Sequence, residues 1–254
     1  MSENGDLIAR MQGVDLAFGD RVVLKNCTLD IVEGAITCII GLSGAGKSTI
    51  LRLLDGLLVP DDGHVFVRGK DLCHMSEEQI NQVRQTIGFS FQFAALLDSL
   101  TVGENVALPL QEHSKLPPEE IRRTVLDALE SVGMLHAYDN LPAELSGGML
   151  KRAGFARAIV TRPELVLYDE PTTGLDPIVS KLITETILKL RSKLNGTAVV
   201  ISHDLPSIFA MADYIAMLFE GAIIAYDTAD RIRNSSNPIV QQFLKGSEAG
   251  PIPI

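Results

Sequence analysis

The first part of the chain alternates short apolar runs with polar turn residues. The runs are LIARM, then VDLAF before Gly19-Asp20, then VVLKNCTLDI before Glu33-Gly34. Runs of this length, bounded by glycine and acidic residues, are typical of β-strands joined by tight turns. We therefore predict a strand-rich segment at the start of the chain.

An uninterrupted apolar and β-branched run follows from Ala35 to Ile40. A run without polar alternation predicts a strand that is buried on both faces. It leads into the glycine-rich stretch Gly41–Thr49, after which isoleucine and leucine recur at helical spacing as far as Leu58. The order strand, glycine loop, helix is therefore predicted for this part of the chain.

Helical patterns replace strand patterns from about Ser76 to Arg162. Pro117-Pro118-Glu119-Glu120 predicts the start of a helix that ends near Gly133, and a second helix is predicted from Ser146 to about Val160. Apolar strand patterns return at 165–168 and 197–201, on either side of a helix predicted from Ile178 to Leu194. Strands that alternate with helices predict an α/β fold whose parallel sheet is interrupted by a helical insert.

One apolar stretch, from Ile208 to Tyr226, is long enough to suggest a membrane span. It contains Asp213 and Glu220, and each carboxylate near the centre of a span costs about 2.5–3.5 kcal/mol. Glu220-Gly221 instead predicts a turn between two short strands, so a hairpin is the better interpretation. The first dozen residues lack a basic segment followed by an apolar core, so no signal peptide is predicted.

Charge and cysteine content narrow the classes of partner. The 254 residues include 22 basic and 32 acidic side chains, for a net charge of -10. Such a surface is repelled by nucleic acid and by anionic lipid headgroups, so contact with a membrane is expected to be indirect, through a protein partner. Three cysteines without CxxC spacing predict a reduced, cytosolic setting. The mean hydropathy is +0.20. This apolar surplus is expected for a parallel sheet that is buried on both faces and for a subunit that buries apolar surface against partner proteins.

The stretch Gly41–Ser48 fits the phosphate-binding pattern G-x-x-x-x-G-K-[ST] in the strand-loop-helix context that the pattern requires. Glycines let main-chain N–H groups surround phosphate oxygens, Lys47 reaches the terminal phosphates, and the Ser48 hydroxyl is placed to bind Mg²⁺. The alternative, a glycine turn that only caps a helix, does not require this lysine and serine. A nucleoside triphosphate site is predicted.

Two carboxylates follow the buried strand at 165–168. Asp169 is predicted to support the bound Mg²⁺, because a carboxylate at the end of a strand supplies an oxygen ligand. Glu170 is predicted to orient and deprotonate the attacking water. The alternative is that Asp169-Glu170-Pro171 only forms a turn.

Ser146-Gly147-Gly148 opens a helix and offers a hydroxyl, main-chain N–H groups and a helix N-terminus, which together form a second anion site. One chain needs only one triphosphate site, so this second site is predicted to bind the γ-phosphate held by a partner copy. A plain helix cap is the alternative for this short pattern.

With these motifs in order, the chain resembles the nucleotide-binding subunits of ATP-binding cassette (ABC) transporters. The resemblance extends from about Leu7 to Phe243 and includes GLSGAGKST, LSGGM, LVLYDE, GLDP and ISHD. It implies a P-loop NTPase core with a mixed, mainly parallel sheet, an N-terminal antiparallel β-lobe and an inserted α-helical subdomain. The implied limits are residues 1–77 and 163–240 for the core, 78–162 for the helical subdomain and 241–254 for a C-terminal extension that contacts a dimer partner.

The resemblance also implies residue roles. Phe18 takes the place of the aromatic residue that stacks on adenine, and Gln92 matches the glutamine that touches Mg²⁺ or the attacking water. Asp176 matches the aspartate that communicates across the dimer, and His203 matches the histidine that hydrogen-bonds the γ-phosphate. The expected nucleotide contacts in the glycine-rich loop are Gly41, Ser43, Gly44, Ala45, Gly46, Lys47, Ser48 and Thr49. ATP and Mg²⁺ are the implied ligands, and Ser48, Gln92 and Asp169 the implied metal contacts.

Finer features are similar to the Mla-type phospholipid transporter ATPases. These are the stretch from Ala94 to Leu116, the methionine Met149 where other cassettes have glutamine, and the tail after Gln241. Leu175 departs from that type, many of whose members have glutamine there. This resemblance implies a homodimer, peripheral on the cytoplasmic face of the inner membrane and bound to permease subunits, with an MCE-type lipid-binding protein and a small STAS-type subunit.

Three other functions stay open at this point. A different ABC importer or exporter, for amino acids or lipoproteins, shares every predicted catalytic residue. A non-transport cassette in translation or DNA repair usually has two cassettes or a coiled-coil insert, and this chain has neither pattern. A non-enzymatic regulatory subunit does not require Lys47, Asp169, Glu170 and His203 to be intact.

Overall fold

The structure is a computed structural model that describes residues 6–253 of the chain. The predicted domain limits at residues 1 and 254 lie outside the described residues. The chain divides into two compact units, one formed by residues 1–76 and 199–254 and the other by residues 77–198.

The elements in the described residues follow in chain order. The strands are β1 (Leu7–Phe18), β2 (Arg21–Val32), β3 (Ile36–Gly41), β4 (Asp62–Val67), β5 (Lys70–Asp71), β6 (Ile87–Ser90), β7 (Leu165–Asp169), β8 (Thr197–Ile201), β9 (Tyr214–Phe219) and β10 (Ala222–Thr228). The helices are α1 (Lys47–Leu54), α2 (Glu77–Arg84), α3 (Val102–His113), α4 (Pro118–Ser131), α5 (Gly147–Ile159), α6 (Pro177–Leu194), α7 (Leu205–Met211), α8 (Ala229–Arg233) and α9 (Pro238–Lys245). The predicted α/β class is confirmed: the chain has one antiparallel sheet and one mixed, mainly parallel sheet.

The antiparallel sheet lies in the first unit, with strand order β2-β1-β4-β5. The sequence predicts two strands between Leu7 and Phe18, but the structure has one. Its pairing with β2 shifts register between Met11 and Val14, where Gly13 has a φ of 59°. A glycine with positive φ forms a bulge that bends a strand without ending it, so the interruption in the pattern is a bulge and not a turn.

The mixed sheet includes β3 of the first unit, whose six residues are all buried. In this unit β3 pairs in parallel with β9, and β9 pairs with β10 as an antiparallel hairpin. Glu220 and Gly221 form the turn with φ values of 48° and 81°, as two-residue hairpin turns require. The hairpin predicted in place of a membrane span is confirmed. None of the helices between residues 6 and 253 combines the length and the apolar character that crossing a bilayer requires.

The second unit contains α2 to α6 and the parallel pair β6 and β7. Strand β8 carries the chain back to the first unit, with its five residues buried. The segment with predominantly helical patterns also contains β6, a strand of four residues that was not predicted because it is so short. Within β6, a Cβ on Gly88 would lie 2.1 Å from the carbonyl oxygen of Ala158, so only glycine lets α5 approach this strand.

The C-terminal tail folds back on α9. The Gln242 side chain is buried, its Oε1 accepts from the Ile252 amide at 2.7 Å, and its Nε2 donates to the Ser247 and Ile252 carbonyls at 3.2 Å each. A Cβ on Gly250 would lie 2.2 Å from Oε1 of Gln242, so the tail passes close to this amide. One side chain thereby fixes the path of the last described residues.

Candidate functional site

The glycine-rich loop begins where β3 ends. Gly41 has a φ of 150°, and a Cβ there would lie 2.3 Å from the carbonyl oxygen of Leu218. Gly46 has a φ of 102°, and a Cβ there would lie 2.8 Å from Cγ1 of Val23. Neighbouring strands therefore exclude any side chain at both ends of the loop.

Lys47 is buried and lies across the start of the loop. Its Nζ donates to the carbonyl oxygens of Gly41 and Leu42, at 2.9 Å each. Lys47 also begins α1, and the N-cap residue Gly46 has no side chain to cap the first turn. An N-terminus of this kind presents main-chain N–H groups and the positive end of the helix dipole to an anion, so the local structure suits phosphate.

An open cleft borders this loop in the first unit. It has a volume of about 570 Å³ and is lined in part by Gly44, Ala45, Arg21 and Lys25. Arg21 donates from Nη2 to the Gly44 carbonyl at 3.3 Å, and a cleft of this size is within the range of small-ligand sites. Phe18 ends β1 and is 51% exposed, so its ring is accessible for the predicted stacking on a base.

His203 lies in the same unit, just after β8, and is exposed. The turn that carries it is held at Ser202, whose Oγ accepts from the Asp204 amide at 3.0 Å, and at Asp204, which caps α7 through Ser207. The histidine therefore lies on a turn that hydrogen bonds hold in place, and the residue is accessible to solvent.

In the second unit Asp169 is the last residue of β7, and Glu170 follows it directly. Asp169 is only 8% exposed at the end of a strand whose five residues are all buried. Glu170 has a φ of 48°, in the left-handed region that glutamate rarely occupies. Its Oε2 accepts from Oγ1 of Thr173 at 2.8 Å. The side chain is therefore aimed by an unusual backbone conformation and by a threonine that the sequence did not single out.

Lys151 of α5, to which the sequence assigned no role, contacts two of the predicted residues of this unit. Its Nζ donates to the Glu170 carbonyl at 3.0 Å and to the Gln92 carbonyl. Lys151 is buried, and this burial lowers the pKa of its ammonium group, although the carboxylates of Glu170 and Asp169 act in the opposite direction. Gln92 and Glu170, which are far apart in sequence, are thus brought together by one cation.

The segment after Gln92 is held by a second cation of α5. Arg157 donates to the carbonyls of Ala95, at 2.5 Å, and Ala94, at 2.6 Å. Both alanines have positive φ, 58° for Ala94 and 50° for Ala95. These two bonds stabilise a backbone conformation that alanine disfavours, so α5 sets the shape of this segment as well as its position.

The Ser146-Gly147-Gly148 motif forms the start of α5. Ser146 is the N-cap, and its Oγ accepts from the Met149 amide at 3.4 Å, so the predicted helix start is confirmed. Gly148 is buried, and a Cβ there would lie 2.6 Å from Cγ1 of Val179 on α6. Asp176 is exposed and caps α6 through the amides of Ile178 and Val179, at 2.9 and 3.0 Å. The anion-binding role of the motif and the dimer role of Asp176 stay predictions.

Three residues predicted to contact a metal carry oxygen donors: the Ser48 hydroxyl, the Gln92 amide and the Asp169 carboxylate. Oxygen donors suit Mg²⁺. Asp169 is 8% exposed at a strand end, and a carboxylate this buried keeps its charge only when a cation or hydrogen-bond donors compensate it. The donor chemistry of each residue therefore suits a magnesium ion, and a site formed by the three together stays a prediction.

Comparison with known proteins places this geometry in a family. Residues 24–173 match the family described as "ABC transporter". The chain is 42% identical over 234 residues to the intermembrane phospholipid transport system ATP-binding protein MlaF of Haemophilus influenzae, covering 92% of this chain and 89% of that protein. It is 40% identical over 243 residues to MlaF of Escherichia coli K12, covering 96% of this chain and 90% of that protein.

A solved structure is similar over most of the chain. It is a dimeric ATP-binding cassette in a post-hydrolysis state, bound to ADP and phosphate. The TM-score is 0.80 at 30% identity, with 87% of this chain and 98% of that chain covered. The resemblance that the ordered motifs predict is thereby confirmed, and the chain belongs to the ABC transporter family as one of its ATP-binding, ATP-hydrolysing subunits.

Proposed function

We propose that the chain powers the movement of phospholipid through a membrane permease, as the ATP-hydrolysing subunit of an Mla-type system. The observation that carries this proposal is the 40–42% identity to two phospholipid transport ATP-binding proteins over more than nine tenths of the chain. Met149, which follows Ser146-Gly147-Gly148, and the stretch after Gln92 support the same assignment, because both resemble that type.

In this proposal each catalytic residue acts on ATP or on the attacking water. Lys47 and the main-chain N–H groups of the glycine loop bind the phosphates, and the Phe18 ring stacks on adenine. Glu170 accepts the proton of the attacking water at its carboxylate, and His203 donates a hydrogen bond to the γ-phosphate. Magnesium held by Ser48, Gln92 and Asp169 would neutralise phosphate charge.

Two copies are proposed to act together, head to tail. Ser146, Gly147 and Gly148 of one copy then contact the γ-phosphate that the glycine loop of the other copy holds. The dimeric state of the similar cassette bound to ADP and phosphate supports this arrangement. Exposure of Ser146 and Gly147 at the start of α5 also supports it, because a helix N-terminus has to be accessible to bind an anion from outside.

The permease is proposed to dock on the segment around Gln92. Phe93 is 85% exposed, and Phe91 and Leu97 are 38% and 50% exposed, so apolar side chains cluster in sequence beside Gln92. Phe91 also stacks on Phe89, with ring centroids 4.3 Å apart. An exposed apolar cluster fits an apolar partner surface, and this position lets the partner act on Gln92. The further proposed partners are an MCE-type lipid-binding protein and a STAS-type small subunit, with the ATPase on the cytoplasmic face of the inner membrane.

Co-purification from membranes tests the assignment. The affinity-tagged chain is extracted in mild detergent, its partners are identified by mass spectrometry, and the complex is reconstituted in vesicles that contain a fluorescent phospholipid. We expect a permease to co-purify and ATP to drive phospholipid transfer, which Glu170→Gln abolishes. A complex that moves amino acids or lipoproteins but no phospholipid would refute the substrate. Exclusive recovery with ribosomes or DNA would refute transport.

A paired substitution tests the docking surface. Phe93→Ser is expected to release the permease without a change in ATP binding, because the exposed ring makes its contacts with the partner. Val59→Ser removes a comparably exposed apolar side chain, 60% exposed, from the other unit and is expected to leave the complex intact. Equal loss of permease in both variants would contradict the proposed surface.

A further inference from the structure

Three side chains outside the predicted nucleotide site converge on the antiparallel sheet. His64 lies on β4, Asp71 on β5, and His74 ends the 3₁₀ turn Leu72–His74 that follows β5. One ligand atom from each, a ring nitrogen or a carboxylate oxygen, lies within 4.8 Å of the other two. None of these residues has a role in the proposed ATP hydrolysis.

Two regular features of the backbone, a hairpin and a 3₁₀ turn, bring these side chains together. In the β4–β5 hairpin Phe66 is opposite Asp71 and Val67 is opposite Lys70, so His64, two residues before Phe66, shares a face with Asp71. Asp71 is also the N-cap of the 3₁₀ turn, in which residues three apart eclipse one another, so His74 lies above it. The arrangement therefore follows from the fold and does not depend on flexible loop conformations.

Both imidazole rings are directed at one carboxylate oxygen. Nδ1 of His64 and Nδ1 of His74 each lie 2.8 Å from Oδ2 of Asp71, while Oδ1 accepts from the Cys73 amide at 3.1 Å. The two rings stack with centroids 5.7 Å apart. Burial alone would raise the pKa of Asp71, but hydrogen bonds from His74, His64 and Cys73 outweigh it and hold that pKa below its usual value. Asp71 is therefore an anion with two aromatic nitrogens beside it.

We propose that His64, Asp71 and His74 bind a divalent transition-metal ion of the zinc type. Two imidazole nitrogens and one carboxylate oxygen form a donor set that suits Zn²⁺, whereas Mg²⁺ and Ca²⁺ prefer oxygen ligands. The set leaves a fourth position for water or a ligand from a partner, as in open three-ligand sites.

The geometry requires only small changes to accept the ion. Metal–ligand bonds of about 2.0–2.1 Å place the donors of a tetrahedral site about 3.3–3.5 Å apart, and the present donors are within 4.8 Å. The side chains of His64 and His74 are 46% and 73% exposed, so an ion from solvent can reach both rings. In the metal-bound state each ring carries its proton on Nε2, so that the lone pair of Nδ1 binds the ion. Nδ1 then no longer hydrogen-bonds Oδ2 of Asp71, and this carboxylate becomes the third ligand.

Binding of Zn²⁺ to the nucleotide-free, tag-free full chain tests the proposal. We expect isothermal titration calorimetry to give one Zn²⁺ per chain and Co²⁺ to give the visible absorption of a nitrogen and oxygen site. His64→Ala and His74→Ala are each expected to weaken Zn²⁺ binding by about tenfold or more, the scale on which perturbed metal sites lose affinity. Asp71→Asn is expected to do the same while retaining an oxygen that accepts from the Cys73 amide, so the turn stays folded.

Matched substitutions separate this site from adventitious binding. His113→Ala and His136→Ala remove exposed histidines of the other unit and are expected to leave the affinity unchanged. His203→Ala, in the proposed nucleotide site, is also expected to leave it unchanged. Loss of binding in any of these three variants, or unchanged binding in the His64→Ala and His74→Ala variants with native circular dichroism, would overturn the proposal.

Discussion

The ammonium group of Lys151 donates to the main-chain carbonyl of Glu170 at an Nζ–O distance of 3.0 Å, from a helix that begins at the Ser146-Gly147-Gly148 motif. The same group donates to the carbonyl of Gln92. A displacement of α5 therefore moves the backbone on which the proposed base, Glu170, is mounted. The Ser146-Gly147-Gly148 motif at the start of α5 is therefore linked to Gln92 and Glu170 through Lys151 of the same helix.

Replacement of this cation is expected to destabilise the protein. Lys151→Met keeps most of the side-chain volume but leaves two carbonyl groups without their charged donor, at a cost of about 2 kcal/mol in the free energy of unfolding. Urea denaturation measures this loss. Lys193→Met is the control, because Lys193 is exposed and has a surface hydrogen bond to Ser131. The control is expected to change stability by less than about 0.5 kcal/mol, and equal losses in the two variants would contradict the role of Lys151.

Substitutions at Glu170 and Thr173 are expected to differ in severity. Glu170→Gln keeps ATP binding but lowers the turnover number by about a hundredfold or more, the scale of a lost general base. Thr173→Val removes only the hydrogen bond to Oε2 of Glu170, so we expect a loss of about fivefold to tenfold. Steady-state phosphate release and nucleotide binding measure both. Glu185→Gln on α6 is the control, because this glutamate is exposed, and it is expected to retain full activity. A Glu170→Gln variant that hydrolyses ATP normally would refute the role of Glu170 as the general base.

Gly148 and Gly147 provide a neighbouring pair with opposite expectations. Gly148→Ala places a Cβ 2.6 Å from Cγ1 of Val179, a stiff β-branched side chain, whereas Gly147→Ala places one 3.4 Å from Cδ2 of Leu175. We expect the first to cost about 1–3 kcal/mol of stability through overpacking and the second much less. Thermal and urea unfolding measure both changes.

A second substitution identifies the cause of this difference. Val179→Ala removes the methyl group that a Cβ at residue 148 meets, so the double variant Gly148→Ala/Val179→Ala is expected to regain stability relative to Gly148→Ala alone. If Val179→Ala gives no recovery, the packing of α5 on α6 is not what requires glycine.

Alkaline pH is expected to destabilise the fold through buried thiol and phenol groups. Burial raises the pKa of Cys27 from 9.0 to about 12, and burial likewise raises that of Tyr226 to about 12. Above pH 9 the unfolded chain releases the Cys27 proton while the folded chain keeps it, so stability is lost as pH rises towards 12. Between about pH 8 and pH 10.5 the Cys27 contribution to this loss is about 2 kcal/mol. Urea midpoints at the two pH values measure the total.

Cys27→Ala distinguishes this cause from general alkaline unfolding. At pH 8 the variant is less stable than the wild type because a cavity replaces the sulfur. Its loss between the two pH values is nevertheless expected to be smaller than that of the wild type. An identical pH dependence in the two proteins would show that the Cys27 thiol does not contribute.

The glycine loop, the starts of α4, α5 and α6 and the β9–β10 hairpin could be predicted because each depends on residues that are close in sequence. The glycines of Gly41–Ser48 determine the conformation of the loop, and Glu220-Gly221 specifies a turn without contacts to distant residues. The start of α5 at Ser146 is another local signal. Local steric preferences determine these features, so the amino-acid sequence of each short segment is sufficient to predict them.

Contacts between distant segments could not be predicted in the same way. Lys151 meets Gln92 and Glu170 only after α5 packs beside β6 and the end of β7, and nothing in the spacing of 59 and 19 residues indicates it. The cluster of His64, Asp71 and His74 depends on the register of a hairpin that has only two residues in β5. Weak local patterns leave such a register undetermined, and tertiary packing selects it.

The buried amide of Gln242 binds the C-terminal tail to α9 of the same chain. Its oxygen and nitrogen already satisfy both backbone groups of Ile252, and the Ile252 side chain is 6% exposed. A second subunit that takes up residues 247–253 therefore has to compete with a helix of the same chain. Such an exchange replaces one set of contacts by an equivalent set, as in domain swapping, and needs little net free energy. In a single chain, the amide of Gln242 holds the tail on α9, and after an exchange the same amide of the partner copy would offer an equivalent pair of hydrogen bonds.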